Sequence, residues 1–80
     1  MKIQVGDLVM LKRNIAESSV PLTINPFSFS EQFVRTGWFT GQCIGIVIKL
    51  LHADAREVCL LAPMAMGWTY GANLITIGKG

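Results

Sequence analysis

The sequence predicts a small all-β domain on three observations. Residues 43–51 form a run rich in β-branched side chains without proline, which is typical of a strand. Residues 57–62 form a second apolar run after a short polar connection, as expected for the returning strand of a hairpin. Elsewhere, short apolar runs are separated by glycine, asparagine and proline, which are turn residues. A chain of 80 residues is one small domain. We therefore expect a single domain over 1–80 with about five strands.

The two ends of the chain supply the remaining strands. Val9 and Leu11 alternate with less apolar neighbours, which predicts a first strand after a glycine-aspartate bend. Residues 68–70 predict a short strand, 71–73 a tight turn, and 74–77 the last strand. These elements leave one long segment between the first strand and the central hairpin.

The long segment after the first strand is the least regular part of the chain. Residues 20–24 predict a short edge strand, because proline is tolerated at a sheet edge. Ser28 and Glu31 have the spacing of a capping box. They predict a short helix over about 29–36 that stops at Gly37, a residue typical of helix ends.

Centring the turn of the hairpin on Asp54 predicts which side chains share a face. One face is then wholly apolar, as a core face requires, and the other is mixed. The predicted core pairs are Leu50 with Val58, Ile48 with Leu60, and Ile46 with Ala62. The predicted pairs of the mixed face are Lys49 with Cys59, Val47 with Leu61, and Leu51 with Glu57.

The layout resembles the SH3-like barrel superfamily, including the modules built around the KOW motif. The resemblance rests on Val-Gly-Asp-Leu-Val at 5–9, Gly-Ile-Val at 45–47, and Gly-Trp-Thr-Tyr-Gly-Ala-Asn-Leu at 67–74. It is also similar to small uncharacterised proteins of tailed phages and marine viruses. The resemblance implies an SH3-like barrel with a large first loop after the first strand and a one-turn element before the last.

The composition favours an interaction module. The chain is 51% hydrophobic and only 15% charged, against about 25% charged in a typical domain. Apolar side chains in excess of what one small core holds mark interaction sites. We expect self-association or docking on another protein through the mixed face of the hairpin and the turn that follows it. The candidate interface residues are Val47, Leu51, Leu61, Met64 and Met66.

Two other surfaces are weighed as alternatives. With a net charge of +2, the chain lacks a dense basic stripe, yet its dispersed cations leave nucleic-acid binding open. The candidate contacts are Lys12, Arg13, Lys49 and Arg56. Four aromatic residues either line a peptide groove or fill the core, and the core is favoured. They are Trp38, Phe39, Trp68 and Tyr70.

No group of residues predicts catalysis, a metal site or a cofactor. His52 and Asp54 have no nucleophile beside them and are interpreted as a solvated turn. Cys43 and Cys59 are interpreted as small buried hydrophobes, and the hairpin register places them about 20 Å apart, too far for a disulfide. The sequence has no signal-peptide pattern and no membrane-spanning apolar run. We expect a cytoplasmic protein, located in the host cytoplasm or the virion if a virus encodes it.

Overall fold

The computed structural model describes residues 2–12, 19–27 and 34–79, which form seven antiparallel strands in one sheet. The strands are β1 (Asp7–Leu11), β2 (Ser19–Thr23), β3 (Arg35–Thr40), β4 (Gly45–Leu50), β5 (Glu57–Leu61), β6 (Met66–Tyr70) and β7 (Leu74–Lys79). Their order across the sheet is β3-β2-β6-β5-β4-β1-β7. A one-turn 3-10 helix, Gly71–Asn73, connects β6 to β7, and the described residues contain no α-helix. The prediction of an all-β fold is confirmed.

The sheet is strongly curled. Strands β3 and β4 lie four positions apart in it, which is about 19 Å in a flat sheet. Only residues 41–44 connect them, and the Cys43 amide donates to the Thr40 carbonyl in a turn, so this connection is not extended. Curling brings the Phe39 ring within 3.1 Å of the position that a Cβ atom would occupy at Gly45.

The curled sheet stays open within the described residues. The ladders run from β3 to β7, and no ladder joins these two edge strands. A barrel of about five strands is therefore not confirmed, because the sheet has seven strands and does not close.

The core lies on the inner face of the curl. Side chains from β1, β2, β3, β4, β5 and β7 converge there, together with Ile3 from the segment before β1. Val9 and Leu11 point inward from β1 while Met10 between them is half-buried, as the predicted alternation requires. The fully buried large apolar side chains are Phe39, Leu11, Leu22, Leu60, Val9, Val47 and Val58.

The long first segment carries a hairpin that was only partly predicted. The strand expected over 20–24 is present as β2, but it lies between β3 and β6 and is not an edge strand. The predicted helix falls largely on 28–33, outside the described residues. Its last two residues belong to β3, so the prediction is wrong there. Gly37 does not end a helix; it lies so close to Ala65 that a Cβ atom would collide with the Ala65 Cβ atom.

The central hairpin has the predicted turn and, next to it, the predicted register. Lys49 is paired with Cys59 and Leu50 with Val58, and the Leu51 amide donates to the Glu57 carbonyl. A β-bulge between Val47 and Lys49 then shifts the pairing by one residue.

Beyond the bulge, the predicted faces are exchanged. Val47 pairs with Leu60 and is 1% exposed, whereas Ile46 pairs with Leu61 and is 38% exposed. The predicted core pairs of Ile48 with Leu60 and Ile46 with Ala62 are therefore wrong, as is the pair of Val47 with Leu61. The physical reason is the extra residue of the bulge, since a one-residue slip moves every following side chain to the opposite face.

Candidate functional site

Four apolar side chains lie side by side across the outer face of the sheet. Ile46 is the cross-strand partner of both Leu8 on β1 and Leu61 on β5, and Leu61 is the partner of Met66 on β6. Leu8 is half-buried, while Leu61 and Met66 are 48% and 54% exposed. We call these four residues the outer row. Three strand spacings of about 4.8 Å make it roughly 14 Å long.

The five predicted interface residues differ in location and exposure. Leu61 and Met66 belong to the outer row, and Met64, in the turn between β5 and β6, is 93% exposed. Leu51 is half-buried where the β4–β5 turn begins. Val47 belongs to the core, which corrects its assignment to a surface, and Ile46 takes its place on the outer face.

The four aromatic residues do not form one groove. Phe39 is fully buried, so the core interpretation is correct for it and the groove interpretation is wrong. Trp68 is half-buried, and Trp38 is exposed on the edge strand β3. Tyr70 is exposed at the end of β6, where its ring stacks on Phe27 with centroids 4.5 Å apart.

Two of the predicted nucleic-acid contacts come together. Lys12 and Arg56 line an open groove of about 770 Å³, together with Lys2, Tyr70 and the first residues of β7. Lys49 lies on β4 opposite Cys59 and does not line this groove. Arg13 lies outside the described residues.

The groove continues along β7. A second hollow of about 440 Å³ is lined by Lys2, Gln4, Asp7 and residues 76–79. Both hollows include Lys2 and Thr76, so they are adjacent. We call the two together the β7 groove. Of the six described cations, four line it, and they are Lys2, Lys12, Arg56 and Lys79.

The two acidic residues of the β7 groove are engaged with backbone groups. Asp7 is 4% exposed and its carboxylate accepts a hydrogen bond of 2.9 Å from the Gln4 amide. Asp54 accepts one of 3.1 Å from the Arg56 amide. The groove has a net positive charge because four exposed cationic side chains line it, against these two carboxylates.

Four other side chains that bear on chemistry lie in the β4–β5 hairpin or just before it. His52 is exposed in the turn, as predicted. Glu57 is fully buried, and its carboxylate accepts a hydrogen bond from the Phe27 amide. Both thiols are free. Cys59 is buried, and burial raises the pKa of its thiol while Lys49 opposes the rise.

Cys43 is half-buried, and its sulfur lies 3.2 Å from the Thr40 hydroxyl oxygen. Across the described ranges, no three His, Cys, Asp or Glu side chains come together as a metal site would require. No helix among those same residues is long and apolar enough to cross a membrane.

No protein-family model, curated protein or solved structure matches the chain. The outer row and the β7 groove are therefore the features of this protein that bear on its function.

The sequence predicted some residues of the outer row and of the β7 groove. Leu61, Met66, Lys12 and Arg56 were predicted as surface contacts. Leu8, Ile46, Lys2 and Lys79 were missed. For Leu8, the alternation with buried Val9 was a usable signal, because it places Leu8 on the outer face. For Lys2 and Lys79, no local signal exists, since they are at opposite ends of the chain.

Proposed function

We propose that this protein is a non-enzymatic interaction module that self-associates through the outer row. The observation that carries the proposal is the direct cross-strand adjacency of Ile46, Leu61 and Met66, all of them exposed. Single exposed apolar residues are ordinary on protein surfaces, whereas contiguous ones mark contact sites.

A second copy of the chain is the occupant that the charge distribution favours. The outer row has no charged member, so two copies can oppose it without bringing like charges together. A symmetric dimer uses the same patch on both subunits, which an uncharged row permits. The apolar surplus of the composition supports the same occupant.

The size of the outer row determines how strong a self-association we expect. A stable interface buries about 800 Å² on each partner, and a row about 14 Å long supplies only part of that area. Exposed Met64 lies in the turn directly before Met66 and extends the surface. We therefore expect reversible, concentration-dependent association rather than a permanent dimer.

We also propose that the fold is a variant of the SH3-like barrel. Two features support this. The hairpin of β2 and β3 lies in the segment that would correspond to the large first loop, and the five other strands are consecutive neighbours in the sheet. The one-turn helix Gly71–Asn73 precedes β7, as the resemblance implies.

Light scattering coupled to size-exclusion chromatography tests the self-association. For the wild type, we expect an average mass that rises above 8.8 kDa as concentration increases. Leu61→Glu places a charge in the outer row and should hold the mass at the monomer value. Ile24→Glu makes the same kind of change at an exposed apolar residue outside the row and should behave as wild type. A strictly monomeric wild type at high concentration would contradict the proposal.

A further inference from the structure

We propose that the β7 groove binds an acidic peptide in extended conformation, which adds to the β7 edge as a further strand. Consecutive residues of β7, from Leu74 to Lys79, line the groove. A groove on one face of a sheet would be lined by alternate residues only. The groove therefore follows the edge of β7, where the backbone amides and carbonyls of an edge strand lie.

The hydrogen-bond pattern identifies backbone groups directed at this edge. The Lys12 amide donates to the Asn73 carbonyl over 2.9 Å, so these two residues form a hydrogen-bonded pair. Antiparallel pairs alternate between hydrogen-bonded and non-hydrogen-bonded. Three residues further along, Val9 and Thr76 therefore form a pair of the second kind. The Thr76 amide and carbonyl consequently point away from β1, toward the free edge.

Charge complementarity identifies the chemistry of the peptide. Lys2, Lys12, Arg56 and Lys79 line the groove, and no ion pair neutralises these four within the described part of the chain. Lys79 makes one contact of 3.5 Å with the Gln4 side-chain oxygen. An extended peptide that alternates acidic and apolar residues would direct carboxylates to the cations and apolar side chains to the exposed Ile75 and Ile77.

Two other occupants fit the groove less well. A second copy of the chain would bring its own cations against these, and like-charge contacts are unfavourable. Single-stranded nucleic acid is usually held by stacking on aromatic side chains as well as by cations. Among the described residues that line the groove, Tyr70 alone is aromatic, and Phe27 already covers one face of its ring. This surface is distinct from the outer row, so its function does not depend on self-association.

Fluorescence anisotropy tests the proposal with three labelled probes. The first is a peptide of about ten residues that alternates Glu and Val, the second alternates Lys and Val, and the third is an oligothymidylate of similar length. We expect only the Glu/Val peptide to bind, with an affinity that falls as salt is added. Equal or tighter binding of the Lys/Val peptide would overturn the proposal, and so would equal or tighter binding of the oligonucleotide. The Leu61→Glu protein is measured in parallel, so that failure of the outer row and failure of the groove are distinguishable.

Charge reversal within the groove supplies the first control. Arg56→Glu should lower the affinity for the Glu/Val peptide by about tenfold or more, since it replaces an attraction by a repulsion. Arg35→Glu is the matched control, because Arg35 lies 5.0 Å from the Trp38 ring centre and outside the groove. Equal losses in the two variants would show only a dependence on net charge and would refute the groove as the site.

A backbone substitution separates edge pairing from simple charge attraction. Thr76→Pro removes the amide that points to the free edge without removing a hydrogen bond to β1. If the variant retains the wild-type circular dichroism spectrum, we expect loss of peptide binding, and undiminished binding would refute strand addition. If it does not fold, the comparison of Arg56→Glu with Arg35→Glu decides the proposal.

Discussion

Replacing Val47 by alanine removes two carbon atoms from a side chain that is 1% exposed, between the core strands β1 and β5. The loss of transfer free energy is about 1.6 kcal/mol, at about 0.8 kcal/mol for each buried carbon. The cavity left behind adds roughly 1 kcal/mol. We expect Val47→Ala to lower the free energy of unfolding by about 2–3 kcal/mol. For a domain of this size, that lowers Tm by roughly 10–20 °C.

Ile46→Ala is the matched comparison, because Ile46 is the adjacent β-branched residue and is 38% exposed. We expect it to lower the free energy of unfolding by less than about 1 kcal/mol, mostly through the weaker strand preference of alanine. The free energies of unfolding of both variants are measured by urea unfolding at low protein concentration, where association contributes no stability. A larger loss for Ile46→Ala than for Val47→Ala would refute the bulged register, since a hairpin without the bulge buries Ile46 instead.

The remaining predictions concern packing and the two thiols. A Cβ atom at Gly67 would lie 2.8 Å from the Thr23 carbonyl oxygen, so Gly67→Ala should lower the free energy of unfolding by about 1–3 kcal/mol in urea titrations; a neutral substitution would contradict this packing. Alkylation followed by mass spectrometry should modify half-buried Cys43 well before buried Cys59, and the reverse order would contradict their placement. Burial raises the pKa of the Cys59 thiol above its unfolded value of about 8.5, so its contribution to stability is present below that pH and is lost as pH rises toward the folded pKa. The urea midpoint of the wild type should therefore decrease as the pH rises above about 8.5, and that of Cys59→Ala should decrease less. Parallel pH profiles of the two proteins would contradict the raised pKa of the Cys59 thiol.

Local patterns predicted the parts of the fold that local physics determines. The proline-free run at 43–51 and its return at 57–62 became β4 and β5, and the turn centred on Asp54 has the expected register beside it. Turn residues and apolar alternation carry that information within a few positions.

Local sequence patterns did not predict the β-bulge between Val47 and Lys49. Ile46 and Val47 are both apolar and β-branched, so either suits either face, and packing against β1 and β5 decides between them. The interpretation of Gly37 as the end of a helix was wrong for a related reason. The close approach of Gly37 to Ala65, in the connection between β5 and β6, requires a glycine just as a helix end does.

The two candidate surfaces depend on topology even more. The outer row exists because β6, β5, β4 and β1 are neighbours in the sheet. The β7 groove unites Lys2 and Lys79 because the first and last strands pair. Composition indicated that apolar surface would remain exposed, but the placement of that surface follows from strand order.

Intermolecular nuclear Overhauser effects in a mixed sample of isotope-labelled and unlabelled protein test the proposed self-association most directly. Such effects arise only between protons of different molecules, so they report the contact surface itself. We predict them at the methyl groups of Ile46, Leu61 and Met66, with intensities that grow with concentration. Their absence at the highest soluble concentration would contradict the account, as would effects confined to Ile75 and Ile77 of β7.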